Sequence, residues 1–334
     1  MQTSINQFRR VDVFSVSGGV GKTLLAVRLA QLQAKRQNAP VLLIDADIVG
    51  PCMGDLLESW ASPPWDTADN LLHLICGRPE YLPERLLPGK LPIYRVREER
   101  PASPEARRPE IVTGPIRGEA LIFCPSHAHS TNPRVEPAVI HALLGHESSG
   151  GWIGYLIDQV VHAANRLMGG RLGGVIVDHS PSLGALQTAT LIECVGGRSE
   201  TDHGGLRRAI MVTTPRATDV SAARDLAARI TAFAPSLAAA LAPSPFPIPG
   251  AGAQGSPNIP DRIVWIVNRI PQEMSDWKEV IKRRFPRSDG WLEKAIPVRS
   301  DPATAESHAE ADLASQKMAA IDADLSVVAE RVFG

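Results

Sequence analysis

The run Gly18-Gly19-Val20-Gly21-Lys22-Thr23 brings three glycines, a lysine and a hydroxyl together in a combination suited to hold a phosphate chain. Glycines without Cβ let successive backbone N–H groups curl around an anion, and a helix N-terminus beyond them adds a positive dipole end. Lys22 can reach the β- and γ-phosphates, and the Thr23 hydroxyl can ligate Mg²⁺. The flanks supply the required frame. Val11 to Val16 reads as a buried strand, and Leu24 to Arg36 as a helix with Leu25, Leu29 and Leu32 on one face. The alternative, a plain glycine-rich turn with a surface lysine, does not account for both flanks. The residues point to nucleotide binding.

Carboxylates recur where apolar strands end. Asp45 and Asp47 follow Val41 to Ile44, and Asp178 follows Val175 to Val177. Phosphoryl transfer needs metal organisation and water placement more than covalent chemistry, and carboxylates supply both. His179 beside Asp178 could sense a γ-phosphate, but a packed or solvated histidine is the stronger reading. Cys124, His127 and His129 lie close in sequence yet lack a fourth metal ligand.

The elements that must position these residues alternate. Further apolar runs occur at Ala120 to Cys124, Ala209 to Thr213 and Ile263 to Val267, with helical periodicity over Trp152 to Met168 and Thr218 to Phe233. Thr218 or Asp219 is placed to cap the latter. Near-continuous apolar strands between helices predict an α/β fold: a doubly wound, mostly parallel sheet flanked by helices, in a single domain over 1–334. Stretches 93–118, 196–205 and 242–261, rich in Pro, Gly, Arg or small polar residues, read as surface insertions.

Composition bounds the possibilities. The 334 residues are 44% apolar and 21% charged, with 35 basic against 36 acidic side chains, so no global field draws the chain to nucleic acid or anionic lipid. The polar N-terminus shows no secretory pattern, and a cytoplasmic location is expected. Cys52, Cys76, Cys124 and Cys194 form no Cys-x-x-Cys pair and read as small buried hydrophobes. The stretch Ala311 to Phe333 carries an apolar face and an acidic polar face, which favours packing on the domain over membrane binding. Lys282, Arg283, Arg284 and Arg287, near Trp277 and Trp291, are the best DNA-binding cluster, and a solvated face explains them more simply.

The compressed Gly-Gly-x-Gly-Lys-Thr loop resembles the deviant Walker A P-loop of the MinD/ParA superfamily of ATPases. Ser17 stands where that family has a signature lysine, which reaches the partner's phosphates across a nucleotide-sandwich dimer. The resemblance extends in order to Ile44 to Pro51 as switch I, to Ala120 to Ser126 at the family's dimer face, and to Gly174 to Ser182 as Walker B and switch II. It continues through Ala209 to Arg216 and Ile266 to Arg269. It implies ATP and Mg²⁺ as ligands. Gly18, Gly19, Val20, Gly21, Lys22 and Thr23 would form the nucleotide cradle, with Thr23, Asp45 and Asp178 toward the metal. Lys22 and Asp47 would be catalytic, Asp47 by orienting water. Asn268 would bond the adenine edge, and Ala295 to Val298 with Asp301 and Pro302, Pro297 included, would form a loop over the base.

The resemblance implies an ATP-hydrolysing switch whose nucleotide state controls homodimerisation or recruitment of a protein partner. Because a serine cannot neutralise phosphate charge, the alternative is a slow or non-hydrolysing ATP-bound adaptor within a larger complex. A basic residue of the insertion (Arg95, Arg97, Arg100, Arg107 or Arg108) could stand in for the missing lysine. A ParA-like DNA-partition ATPase ranks below these readings. An ATP-dependent ligase ranks lower still, since no second catalytic constellation is visible.

Overall fold

The computed structural model describes residues 8–48, 53–60, 69–75, 79–96, 110–126, 147–181, 187–188, 190–191, 194, 207–241, 263–271, 274–285, 289–299 and 311–333. Its centre is a nine-stranded sheet. The strands are β1 (Arg10–Ser15), β2 (Pro40–Ala46), β3 (Tyr94–Val96), β4 (Glu110–Ile111), β5 (Ala120–Cys124), β6 (Gly174–His179), β7 (Arg207–Thr213), β8 (Ile263–Ile270) and β9 (Ile296–Arg299). Their spatial order is β4-β3-β5-β2-β6-β1-β7-β8-β9. From β5 to β9 every pairing is parallel; β3 and β4 add an antiparallel edge.

The helices are α1 (Lys22–Gln37), α2 (Met53–Trp60), α3 (Leu71–Ile75), α4 (Leu82–Arg85), α5 (Glu147–Leu167), α6 (Ala217–Leu241), α7 (Trp277–Arg284), α8 (Asp289–Lys294) and α9 (Ala311–Phe333). Alternate residues of each central strand feed opposite layers, as the two-residue pleat requires. Val11, Val13, Leu43, Ile176, Ile210 and Ile266 face α1 and α9. On the other face, Leu42, Ile44, Val175 and Val177 meet α3 and α5, and Met211, Trp265 and Val267 meet α6, α7 and α8. Both faces are covered, which is why the strand sequences read as near-continuous apolar runs.

The expected sheet is present, with three differences in detail. The ends of segment 93–118 form β3 and β4 at the sheet edge, while 97–109 lies outside the described residues, as do 196–205 and 242–261. Residues Ile296 to Val298, expected as a loop, extend the sheet as β9 beside β8. α6 begins one residue earlier than expected, and its first turn is tied by the Thr214 hydroxyl donating to Asp219 at 2.5 Å.

The C-terminal helix α9 packs on the domain. Leu325, Val328, Ala329, Val332 and Phe333 are buried against α1 and β9. Gly174 makes room for it: a Cβ there would lie 3.2 Å from the Phe333 ring. Among the described residues, no helix is long and apolar enough to cross a membrane. Leu325→Ala removes a side chain that is 1% exposed in this layer. It is expected to lower the unfolding free energy by about 2–5 kcal/mol, read by urea titration.

Candidate functional site

Central strand β1 ends at Ser15, and the chain then turns through the glycines into α1. Gly21 caps that helix in the left-handed region, with φ 82°, where a side chain would be strained. Space is equally tight there: a Cβ on Gly21 would lie 2.5 Å from the Asn268 amide nitrogen. That amide donates to the Val20 carbonyl at 2.8 Å, so β8 braces the loop directly. Gly18 and Gly19 stay exposed.

The first turn of α1 aims at the end of β6. Lys22 Nζ donates to Asp178 Oδ1 at 2.5 Å, and Thr23 Oγ1 donates to Asp178 Oδ2 at 2.7 Å. One carboxylate therefore grips both side chains expected to handle phosphate and metal. Strand register then brings in the second: Asp45 of β2 lies directly opposite Asp178 of β6. Both are 1% exposed. Two like charges across neighbouring strands repel, and water is not there to screen them.

Asp45 bears the consequence. Burial, followed by the Asp178 charge, pushes its carboxyl well above the usual carboxylate range, and Asp47 adds to the repulsion. The Asp47 backbone N–H at 2.9 Å, the Ser126 hydroxyl at 3.1 Å and the Lys22 charge offset part of this. Asp47 is held by the Ser180 hydroxyl, which donates to its Oδ1 at 2.8 Å. Thr23, Asp45 and Asp178 thus converge as oxygen donors, the hard set that Mg²⁺ takes. Among the described residues no group of three or more His, Cys, Asp or Glu side chains forms a metal cage.

A second charged cluster lies on the opposite face of the same strands, and sequence reasoning missed it. Asp12, inside β1, is fully buried. It accepts from Arg10 at 2.8 and 2.9 Å, from Arg207 at 3.1 Å and from the Cys194 thiol at 3.5 Å. His179 Nε2 lies 2.9 Å from Asp12 Oδ1, and Arg10 also pairs with Asp158 of α5. Burial alone would raise the Asp12 carboxyl; Arg10, Arg207 and His179 outweigh it and hold it well below the usual range. Burial lowers the His179 pKa despite Asp12, so the ring is neutral near pH 7 and Nε2 carries the proton donated to Asp12. The ring stacks on Phe14 with centroids 4.5 Å apart. His179 is a packed residue, on the sheet face away from Lys22.

The structure brings Lys22, Thr23, Asp45, Asp47 and Asp178 together at the strand ends and places Asn268 against the loop. Pro297 lies in β9, paired with Val267. Cys124 and Cys194 are buried free thiols. Cys52, Cys76, His127, His129, Arg97, Arg100, Arg107, Arg108, Arg287, Asp301 and Pro302 lie outside the described residues.

Comparison with solved structures decides the fold. A Cyanothece McdA variant in complex with ATP aligns over 97% of this chain and 96% of its own, at 15% identity and a TM-score of 0.53. The fold is that of the MinD/ParA superfamily of P-loop NTPases. MinD of Aquifex aeolicus, in its complex with MinC, aligns over 98% of this chain and 96% of its own, with 16% identity and a TM-score of 0.52. A Borrelia burgdorferi B31 plasmid partition protein bound to AMPPNP aligns over 96% and 99%, with 14% identity and a TM-score of 0.50. The ParA family model, described as NUBPL iron-transfer P-loop NTPase, matches residues 7–72, which span the P-loop, Asp45 and Asp47. No curated protein sequence matches the chain significantly.

The Asp12 cluster yields a stability prediction. Asp12→Asn removes the buried carboxylate shared by Arg10 and Arg207, leaving Arg10 with Asp158, and is expected to cost about 3–5 kcal/mol in chemical unfolding. Because the folded-state pKa of Asp12 is depressed, its contribution is complete above the unfolded value of about 4 and fades as the pH falls toward the folded one. The gap between wild-type and variant melting temperatures should therefore narrow below about pH 4.

Proposed function

We propose that this protein binds ATP with Mg²⁺, hydrolyses it, and uses its nucleotide state to control homodimerisation or recruitment of a protein partner. One observation carries the reading: the Asp178 carboxylate bonds Lys22 and Thr23 at once, with Asp45 in register beside it and Asp47 two residues on. Backbone N–H groups of Gly18 to Thr23 cradle the phosphates, and Lys22 leaves Asp178 for the β- and γ-oxygens. Thr23, Asp45 and Asp178 would hold Mg²⁺, which would supply charge neutralisation at the phosphates. Asp47, steadied by Ser180, orients the attacking water. Asn268 reads the purine edge, and Pro297 closes the base end from β9.

Ser17 favours a second reading, in which the chain holds ATP as a slow or non-cycling adaptor, because a hydroxyl cannot supply the charge a lysine carries. DNA binding is not favoured: Lys282, the first residue of the basic cluster, pairs with Glu279 and Glu293. Nor is iron transfer adopted, since the sequence has no Cys-x-x-Cys pair to hold a cluster.

Lys22→Ala should weaken ATP binding by about two orders of magnitude in calorimetry, through loss of charge-assisted phosphate contacts. Unchanged affinity removes Lys22 from the site. Asp47→Ala should retain ATP and lose turnover, and light scattering of this variant tests the switch. A dimer with Mg-ATP but not Mg-ADP establishes nucleotide-controlled association in spite of Ser17; an unchanged mass in both supports the adaptor.

A further inference from the structure

The end of β8 breaks the rules of a regular strand. Asn268 pairs with Val298 and Ile270 with Arg299, so Arg269 drops out of the ladder. Its φ is 61°, in the left-handed region that arginine seldom occupies. Such strain persists where the surrounding structure imposes it, and it concentrates at ligand sites.

The distortion has a geometric result. Along a regular strand, consecutive side chains point to opposite faces. Here the Asn268 amide nitrogen and Arg269 Nε lie 2.5 and 4.0 Å from the point where a Cβ on Gly21 would sit. The bulge therefore brings two neighbouring side chains to the same P-loop glycine. Arg269 is half-buried, with its Nε close to Gly21. A partly desolvated guanidinium beside a phosphate loop is suited to a ligand.

Strand order says which part of the ligand. Lys22 and Thr23 turn toward β6, on one side of β1, and this is the phosphate end. Arg269 comes from β8, on the other side, beyond β7. We propose that Arg269 is a nucleotide-binding residue that lays its guanidinium on the purine whose edge Asn268 reads. A planar, weakly hydrated cation stacks on an aromatic ring where an ammonium would serve less well. The inference rests on the ATP-binding reading above and extends it to a residue that reading did not include.

Calorimetric titrations with ATP and ADP, and competition against ATP by inorganic tripolyphosphate, test it on wild type, Arg269→Ala, Arg269→Gly and Lys22→Ala. Both Arg269 variants should weaken ATP and ADP by the same factor, about fivefold to thirtyfold, and leave tripolyphosphate competition unchanged. Glycine tolerates a φ of 61°, so Arg269→Gly removes the guanidinium without backbone strain. Wild-type affinity in Arg269→Gly overturns the proposal. Equal weakening of tripolyphosphate, or a loss for ATP that ADP does not share, overturns the assignment to the base. An ATP affinity insensitive to Lys22→Ala sinks the underlying reading instead. A Lys22 effect with unaffected Arg269 variants sinks this inference alone.

Discussion

Two carboxylates set in register on neighbouring strands, out of reach of water, constrain everything around them. Asp45 and Asp178 face each other across β2 and β6, and a pair so placed needs positive charge. Lys22 is the cation supplied, and it can reach Asp178 only because α1 starts where the glycine turn releases it. The turn in turn depends on Gly21 lying close to Asn268, whose amide holds the Val20 carbonyl. Loop, helix start and strand ends are thus fixed by one local electrostatic demand. The apolar layers beneath make that demand stricter by excluding solvent.

Three consecutive residues at the end of β6 distribute this order. Asp178 ties the P-loop, His179 ties Asp12 on the opposite face, and Ser180 ties Asp47. Strand alternation makes the division possible, since Asp178 and His179 point to opposite faces. Behind the site, Arg10, Asp12, Arg207 and Asp158 link β1, β7 and α5 by charge. A buried network of this kind contributes little net stability when whole and costs heavily when broken. It links three elements in one relative position.

Much of this was legible in the sequence because it is local. The glycine loop, Lys22, Thr23 and the aspartates at strand ends stand beside the apolar runs that position them, and their types name their chemistry. The central parallel sheet followed from the same runs. Asp12 was not legible: it sits within the apolar pattern Val11-Asp12-Val13, and apart from Arg10 its partners lie more than 160 residues away. β9 was hidden by Pro297, which reads as a loop residue but is tolerated on an edge strand. The positive φ of Arg269 had no signal at all, since glycine or asparagine usually marks such a position.

Lys22 would have a double duty in the proposed ATP site. It is both the counter-ion of Asp178 and the side chain that phosphate needs. Were phosphate to draw it away, Asp178 would lose the positive charge bonded to it, beside an Asp45 that burial and repulsion already push upward. A ligand bringing positive charge of its own, as a nucleotide carrying a divalent ion would, could offset that loss. On the proposed reading, binding would change the contacts of Asp178 and Asp45 and, through the Asp47 backbone N–H that Asp45 accepts, the end of β2.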